Sequence, residues 1–385
     1  MPDASTPLFV ALREEITQRG PIPFRDYMER ALYDPEHGYY GSGRARVGRG
    51  GDFFTNVSVG PLFGRLLARQ FAEMWLRLGQ PADFVIVEQG AHRGDFAADV
   101  LGALRELAPD CLAATTFWIV EPLATLRKAQ HEKLAAWAGT QVRWAESLAG
   151  LPPFTGVHFS NELPDAFPVH RVARRAEGWR ERAVDFDGTR FVFVDAPLSA
   201  NALKPALARL PAVPEGYETE INLAAPAWIA EVAARLQRGF ILAVDYGYTR
   251  AEYYRPERNQ GTLSAYAGHQ REPDPLARPG EIDLTAHVDF TSLAEAGIAG
   301  GLTLSGFTDQ HHFMVGLGQL HFTGDTASPQ EIRAFKTLMH PSLMGRSFHA
   351  LCLTRGAEEA GLSGFRYGQS GALLTLLDAN NHASE

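Results

Sequence analysis

The pattern that constrains this chain most is a succession of short apolar segments separated by helical patterns. Phe84-Val-Ile-Val87 and Phe117-Trp-Ile-Val120 are continuously apolar, and each is followed by a glutamate. Continuous rather than alternating apolarity is typical of parallel strands buried on both faces. An amphipathic helical pattern over residues 95–107 lies between the two segments. The alternation of strand and helix predicts an α/β fold with a doubly wound parallel sheet. Further strand patterns lie at 141–144, 156–160, 239–244, 302–307 and 348–353.

Two regions flank this predicted sheet. Helical spacing before residue 35 and over residues 62–78 predicts an N-terminal helical region. Farther along the chain, Asp187-Gly188 separates two apolar stretches, which is a strong hairpin signal. We therefore expect an N-terminal helical region and a sheet domain that carries an antiparallel insertion. The expected bounds are 1–80 for the first, 81–385 for the second and about 170–235 for the insertion, with loops over 205–220 and 246–279.

Composition excludes several classes of protein. Hydrophobic residues make up 45% and charged residues 21% of the chain, which excludes a long disordered or collagen-like protein. The 36 Lys+Arg and 45 Asp+Glu residues give a net charge of −9, which opposes nucleic-acid binding. Every apolar run is strand-sized, so no membrane span is expected. Two cysteines without a CxxC pattern, and no signal pattern at the N-terminus, predict a reducing, cytoplasmic location.

The turn after the first strand, Glu88-Gln-Gly-Ala-His-Arg-Gly94, is the first candidate for ligand binding. Gly90 and Gly94 would let the backbone turn tightly and present amides at the start of the next helix, for which Asp95 is the expected cap. Glu121 follows the second strand, where an acid can accept hydrogen bonds from the ribose hydroxyls of an adenosine cofactor. These features predict an adenosine-cofactor site, and they fit NAD(P) as well as S-adenosylmethionine.

The residues after the fourth strand help to choose between these cofactors. Ligands of open α/β sheets bind outside the carboxyl ends of the strands, so Asn161, Glu162 and Asp165 are expected at the site. Methyl transfer needs an acceptor held in line with the methyl group, and carboxylates can bind a guanidinium bidentately. A hydride-transfer enzyme would more often present His, Tyr or Lys at this position. The alternative for these carboxylates is capping of the following helix.

A series of short motifs runs almost from end to end of the chain. The N-terminal ones are Phe24-x-x-Tyr-Met28, Leu32-Tyr-Asp-Pro35, Gly38-Tyr-Tyr40, Gly51-Asp-Phe-Phe-Thr55 and Phe63-Gly64. The later ones are Val120-Glu-Pro122, Asn161-Glu162, Val244-Asp-Tyr-Gly247, Gly261-Thr-Leu263, Pro279-Gly-Glu281, Thr285-Ala-His-Val-Asp-Phe290 and Met344-Gly345. In type and order these motifs resemble the MidA-like family of S-adenosylmethionine-dependent methyltransferases. That family includes a mitochondrial protein arginine methyltransferase needed for respiratory complex I assembly.

The resemblance implies a fold, an activity and a substrate class. The fold would be a Rossmann-like class I methyltransferase with a seven-stranded, mostly parallel sheet, and the cofactor would be S-adenosyl-L-methionine. The activity would be methylation of an arginine in a protein substrate, such as a subunit of a respiratory complex. Glu162 and Asp165 would be the catalytic residues, because they would orient the guanidinium.

The resemblance also implies a set of cofactor contacts. Glu88 would belong to this set, and Gly90 and Gly94 would lie against the methionine part of the cofactor. Glu121 would bind the ribose. The other implied contacts are Glu146 and Ser147 near the adenine, Asn161 beside the transferred methyl group, and Gly51, Asp52, Phe53 and Thr55 in an N-terminal lid.

Three departures from the family pattern leave alternatives open. His92 occupies the middle glycine position of the turn, Ser58 stands where family members carry an acid, and Leu163-Pro164 replaces a Phe-Phe pair. These changes favour, as an alternative, a catalytically weak or inactive cofactor-binding assembly factor for a protein complex. A nicotinamide-dependent oxidoreductase is a third hypothesis. No metal site is expected, since His287-Val-Asp289 and His311-His312 lack further ligands at recognisable spacing.

Overall fold

The computed structural model of the protein describes residues 6–45, 55–268, 270–322, 327–340, 344–357 and 361–368. In these residues the helices are α1 (Pro7–Arg19), α2 (Phe24–Tyr33), α3 (Leu62–Arg77), α4 (Asp95–Leu107), α5 (Pro109–Ala114), α6 (Ala124–Lys133), α7 (Leu203–Ala208), α8 (Ala224–Arg235), α9 (Arg250–Tyr253), α10 (Phe290–Ala299), α11 (Gln310–His321) and α12 (Pro329–Met339). The strands are β1 (Ile22–Pro23), β2 (Phe84–Gln89), β3 (Thr115–Val120), β4 (Val142–Ala145), β5 (Phe154–Asn161), β6 (His170–Arg175), β7 (Gly178–Phe186), β8 (Phe191–Ala196), β9 (Glu218–Ile221), β10 (Leu236–Tyr248), β11 (Ser264–Ala267), β12 (Gln270–Arg271), β13 (Asp283–Thr285), β14 (Val288–Asp289), β15 (Thr303–Asp309) and β16 (Phe348–Arg355).

The chain forms two compact units, and each is built from segments that are distant in sequence. One unit contains residues 1–54, 164–225 and 248–289. The other contains residues 55–163, 226–247 and 290–385. This division differs from the expected bounds at 80 and 81, because α3 belongs to the unit that holds the large sheet. We call the two units the insertion unit and the sheet unit.

The large sheet has eight strands, of which seven follow the order β15-β16-β10-β5-β2-β3-β4 and the two-residue β14 pairs with β10. The four pairings from β10 to β4 are parallel, whereas β16 runs antiparallel to both β10 and β15. This confirms the predicted mostly parallel sheet, and the seven expected strands are all present with the short β14 as an eighth. All seven strands coincide with apolar patterns in the sequence, because strands buried on both faces carry apolar residues at nearly every position.

Helices cover both faces of this sheet. On one face the ring of Phe159 in β5 stacks on Phe96 of α4 at a centroid distance of 4.5 Å and meets Phe71 of α3 at 5.6 Å. On the other face the neighbouring residue His158 lies 5.6 Å, ring to ring, from Trp228 of α8. The sheet is therefore doubly wound, as expected from side chains that alternate between faces along a strand.

The insertion unit contains an antiparallel sheet in the order β1-β7-β6-β9, with β8 paired to β7. The predicted hairpin is present: Phe186 pairs with Phe191 across the turn, and Asp187 Oδ1 accepts hydrogen bonds from the backbone amides of Thr189 and Arg190 at 2.8 and 2.9 Å. A second antiparallel sheet has the order β12-β11-β13. The Asp-Gly signal thus identified the hairpin through its turn chemistry.

The N-terminal helices share a hydrophobic core with this antiparallel sheet. Phe9 of α1 packs on Phe191 at a ring distance of 4.7 Å, and Phe24 of α2 packs on Phe193 at 5.4 Å. The buried hydroxyl of Tyr27 donates a hydrogen bond of 3.1 Å to the carbonyl of Leu276. The N-terminal region and the insertion, which the sequence analysis separated, therefore form one folded unit.

Several local expectations were wrong. Asp95 does not cap α4, because the cap residue is Gly94 in a left-handed conformation and Asp95 is the first helical residue. The segment 205–220 is not only loop, since it includes part of α7 and of β9, and 246–279 contains α9 and β11. These elements are short, and they carry too few apolar positions to show a period. None of the described helices is long and apolar enough to cross a membrane.

Candidate functional site

The turn between β2 and α4 adopts left-handed backbone angles at three positions. Gly90 and Gly94 have φ values of +84° and +83°, and His92 has +44°. A Cβ atom on Gly94 would lie 3.2 Å from the Leu134 side chain, and one on Gly90 would lie 3.4 Å from Leu163. Histidine is one of the few residues with a side chain that visit this region at moderate cost. His92 therefore keeps the backbone path that a glycine would give.

A buried amide joins this turn to Glu121. Gln130 of α6 donates from Nε2 to the carbonyl of His92 at 2.8 Å and to Glu121 Oε2 at 3.1 Å. Its Oε1 accepts from Trp144 Nε1 at 3.1 Å. Because both ends of the amide are bonded, Gln130 holds the turn and the end of β3 in one arrangement. This role of Gln130 was not predicted from the sequence.

The carboxylate of Glu121 is buried where β3 ends. Its Oε1 accepts a hydrogen bond of 3.0 Å from the backbone amide of Leu123. Burial raises the pKa of Glu121 to about 7, although the bonds from Leu123 and Gln130 and the charge of Arg127 act in the opposite direction. Glu121 thus titrates in the neutral range.

Glu88 lies at the base of the turn and is also buried. Burial raises its pKa to about 8, and the negative charges of Asp95, Asp99 and Glu121 add to the effect. Its Oε2 has no hydrogen-bond partner among the described residues. A buried carboxylate oxygen without a donor, surrounded by other acids, is the electrostatic complement of a cationic ligand.

Glu146 and Ser147 follow β4 on the side of Glu121. The Glu146 side chain is exposed and forms an ion pair of 3.0 Å with Arg127 Nη2. Arg127 Nη1 also donates to the backbone carbonyl of Glu121 at 2.8 Å. Ser147 has extended backbone angles and its side chain caps no helix. The structure thus brings the ends of β3 and β4 together through Arg127.

A chain of side-chain amides lies at the end of β5. Glu162 has a left-handed φ of +52°, and its amide donates to the carbonyl of Val244 in β10 at 3.0 Å. Its Oε1 accepts from Asn161 Nδ2 at 2.9 Å and from the backbone amide of Asn56 at 3.2 Å. Asn56 Nδ2 donates in turn to Asn161 Oδ1 at 2.9 Å. Strained backbone at a strand end is common at functional sites.

Two members of this network, Asn56 and Gln310, were not predicted from the sequence. Both are fully buried, and Gln310 Nε2 donates to Asn56 Oδ1 at 2.7 Å. Isolated buried amides leave no periodic pattern, so only their position could have indicated them. Gln310 directly follows Asp309, which caps α11 through a bond to the His312 amide. An aspartate at the start of a helical pattern is a common N-cap, so Asp309 could have predicted where α11 begins.

The remaining predicted residues are Asp165, Thr55, Gly51, Asp52 and Phe53. Asp165 is buried in a 3₁₀ turn of the insertion unit, Pro164–Ala166, where its carbonyl accepts from the Ala286 amide at 2.9 Å. Thr55 is buried in the sheet unit and bonds to Ser58, whose Oγ accepts from the Thr55 amide at 2.6 Å. Ser58 therefore closes a local turn. Gly51, Asp52 and Phe53 lie outside the described residues.

The histidines considered as metal ligands have other partners. His312 bonds to Asp309 at 2.7 Å, and Asp289 forms an ion pair of 3.3 Å with Arg250. In the part of the chain that the structure describes, no group of three or more His, Cys, Asp or Glu side chains is placed to hold a metal ion.

Comparisons with known proteins agree on one class of enzyme. Residues 66–308 match the family described as "Putative S-adenosyl-L-methionine-dependent methyltransferase". The mitochondrial protein arginine methyltransferase NDUFAF7 of Mus musculus is 29% identical over 381 residues, which cover 90% of this chain and 84% of the relative. Its Drosophila melanogaster homologue is 30% identical over 382 residues, which cover 91% of this chain and 85% of the relative. A crystal structure of a "likely methyl transferase" from Burkholderia thailandensis, bound to S-adenosyl-homocysteine, is 36% identical, has a TM-score of 0.83 and covers 94% of this chain and 95% of its own.

Proposed function

The chain belongs to this family of S-adenosyl-L-methionine-dependent methyltransferases, and on that premise we propose that it methylates arginine side chains of a protein substrate. The cofactor supplies an electrophilic methyl group carried on a positively charged sulfur. The relatives named as protein arginine methyltransferases support arginine as the acceptor. The chemistry of the residues at the end of β5 supports the same acceptor.

We assign cofactor binding to the ends of β2 and β3. The left-handed glycines Gly90 and Gly94 make the turn tight, and such a turn presents backbone amides at the start of α4. The unpaired Oε2 of Glu88 fits a cationic group, and the buried carboxylate of Glu121 fits a pair of ribose hydroxyls. Glu146 and Ser147 are assigned to the adenine end because they follow the adjacent strand.

The observation that carries the proposal is the fixed carboxylate of Glu162. Two donors, Asn161 Nδ2 and the Asn56 amide, bond to Oε1, which holds the side chain in one orientation. A carboxylate held in this way can bind a guanidinium with the planar geometry that arginine offers and lysine does not. It can also accept the proton that the attacking nitrogen loses, which a permanently charged guanidinium requires.

The direct test is a methyl-transfer assay with labelled cofactor. Wild-type protein should label an arginine-containing peptide but not the same peptide with lysine in that position. Glu162→Gln keeps the size of the side chain and removes its charge, so transfer should fall by about a hundredfold or more. Binding of S-adenosylhomocysteine should change by less than about threefold, because Glu162 is assigned to the acceptor. Equal labelling of both peptides would contradict arginine specificity.

Asp165 is tested by its own variant. It is buried and lies three residues beyond Glu162 in the sequence. Asp165→Asn should leave S-adenosylhomocysteine binding unchanged and reduce turnover at saturating peptide. Undiminished turnover would remove Asp165 from the catalytic residues and leave Glu162 as the only proposed acid.

The finer aspects of the function are also proposals. The acceptor would be a subunit of a respiratory complex, and the protein would act in the cytoplasm, where free thiols such as Cys111 and Cys352 persist. The segment with Gly51, Asp52, Phe53 and Thr55 would cover the bound cofactor. Mass spectrometry of respiratory complexes from cells with and without the gene should reveal one methylarginine that depends on it.

The alternative of an inactive assembly factor rests on His92 and Ser58. His92 has the backbone conformation of the glycine that it replaces, and Ser58 takes part in a local turn with Thr55. Both observations favour a working cofactor site. Micromolar binding of S-adenosylhomocysteine, with no methylated product from any arginine peptide or protein extract, would support the alternative.

A further inference from the structure

The amide chain that ends at Glu162 begins at a backbone carbonyl in α12. Gln310 Nε2 donates to the carbonyl of Leu338 at 3.0 Å and to Asn56 Oδ1 at 2.7 Å. From there the bonds continue from Asn56 to Asn161 and from Asn161 to the carboxylate of Glu162. All five residues belong to the sheet unit, and three separate segments of sequence contribute to the chain.

The chemistry of its two ends gives this chain a single direction. The Leu338 carbonyl can only accept, so the NH₂ group of Gln310 must face it and must also face Asn56 Oδ1. Asn56 then has only its NH₂ group to offer Asn161, and Asn161 has only its NH₂ group to offer Glu162. Each amide, which could otherwise turn over by 180°, is restricted to one orientation.

We infer that Gln310 and Asn56 are positioning residues, which act through Asn161 to keep a donor directed at the Glu162 carboxylate. This inference rests on the proposed role of Glu162 as the group that binds the acceptor. We call this chain of hydrogen-bonded amides the relay. If the relay were broken, the Asn161 amide could turn its oxygen toward Glu162 Oε1. Two acceptor oxygens would then face each other where the intact relay has a hydrogen bond of 2.9 Å. Glu162 would then lose its fixed orientation.

Two variants break the relay in different ways. Asn56→Asp keeps the shape of the side chain but removes the NH₂ donor to Asn161. Gln310→Met removes both hydrogen bonds at the far end without adding charge. Gln70 provides the matched control, because it is also a fully buried glutamine of the sheet unit and bonds at both ends, to Glu73 and to the Gly364 amide, but is not part of the relay.

The first readout is catalytic. Both relay variants should lower kcat for an arginine peptide by about ten- to a hundredfold, with the dissociation constant of S-adenosylhomocysteine changed by less than about twofold. Gln70→Met should lose thermal stability to a similar extent as Gln310→Met but keep its kcat. An equal loss of kcat in Gln70→Met would show a general packing effect and would overturn the inference.

The second readout does not depend on catalysis. The side-chain ¹⁵N–¹H signals of Asn161, assigned by their absence in Asn161→Ala, should shift and exchange faster with solvent in both relay variants but not in Gln70→Met. Unchanged Asn161 signals would overturn the inference even if kcat fell. If these signals move while wild-type protein methylates no arginine substrate, the relay stands and only the proposed function fails.

Discussion

His92 has a left-handed backbone at the position where the family resemblance implies a glycine. A left-handed backbone at a residue with a side chain destabilises the folded state by about 1–2 kcal/mol relative to glycine. Glycine offsets part of this advantage, because its greater conformational freedom stabilises the unfolded chain. We therefore expect His92→Gly to change the free energy of unfolding by no more than about 1 kcal/mol, toward greater stability.

Urea denaturation checks this prediction, with His92→Val as the comparison. Valine is β-branched and should lower stability by more than about 1 kcal/mol, because it tolerates a left-handed backbone poorly. A marked loss of stability in His92→Gly would mean that the imidazole itself makes a stabilising contact.

The proposed contact between Glu121 and the cofactor ribose predicts that cofactor binding depends on pH. Its pKa is raised to about 7, and only the ionised form accepts hydrogen bonds from both ribose hydroxyls. S-adenosylhomocysteine should therefore bind more weakly at pH 6 than at pH 8, by up to about tenfold for one group with this pKa. Calorimetry in buffers of different ionisation enthalpy should also detect proton release on binding near pH 7.

The stability of the ligand-free protein should change with pH in the opposite sense. A carboxyl group with a raised folded-state pKa holds a proton that the unfolded chain has released, so its contribution to stability declines as pH rises from about 4.5 to about 7. Glu88, with a pKa raised to about 8, extends this decline to higher pH. Glu121→Gln should flatten both profiles, and identical binding at pH 6 and 8 in wild-type protein would refute the assignment.

Within single elements of the sheet unit, replacing either of two glycines by alanine should change stability in opposite directions. A Cβ atom on Gly156 in the central strand β5 would overlap the carbonyl of Val85 in β2, whereas one on Gly102 in α4 would meet no atom within 4 Å. Gly156→Ala should therefore destabilise the protein by at least about 2 kcal/mol. Gly102→Ala should stabilise it by about 0.5–1 kcal/mol, because alanine favours the helix.

Thermal unfolding of the two variants side by side tests this contrast. Both replacements add one methyl group to the sheet unit. A change in unfolding temperature of opposite sign in the two variants therefore reports the space around each glycine. Equal destabilisation by both would mean that the spacing between β2 and β5 does not limit the fold.

The whole molecule carries a net charge of −9, which attracts the cationic substrate proposed for it. This long-range attraction is screened by salt. The KM for an arginine-rich peptide should rise by about threefold or more between about 0.05 and about 0.5 M salt, with kcat nearly constant. The KM for the cofactor is the internal control, and a salt-independent peptide KM would argue against electrostatic attraction.

How much could be predicted from the sequence depended on the kind of signal. The central strands of the main sheet were found because burial on both faces makes each a nearly unbroken apolar run, as in β2 and β3. Helix α12 was missed although Ser328 and Glu331 form a capping box that the sequence displays. Asn56 and Gln310 could not be found, because their role exists only where three distant segments meet.

The shared core of the N-terminal helices and the insertion unit has a consequence for synthesis on the ribosome. Tyr27 and its partner Leu276 are separated by 249 residues, which corresponds to about 12–50 s of translation. Throughout that time the core around α1 and α2 is incomplete, because β8 begins only at Phe191 and Leu276 follows later still. The nascent chain therefore presents a hydrophobic segment for long enough to bind a chaperone, and the unit completes its folding only after about three quarters of the protein has been made.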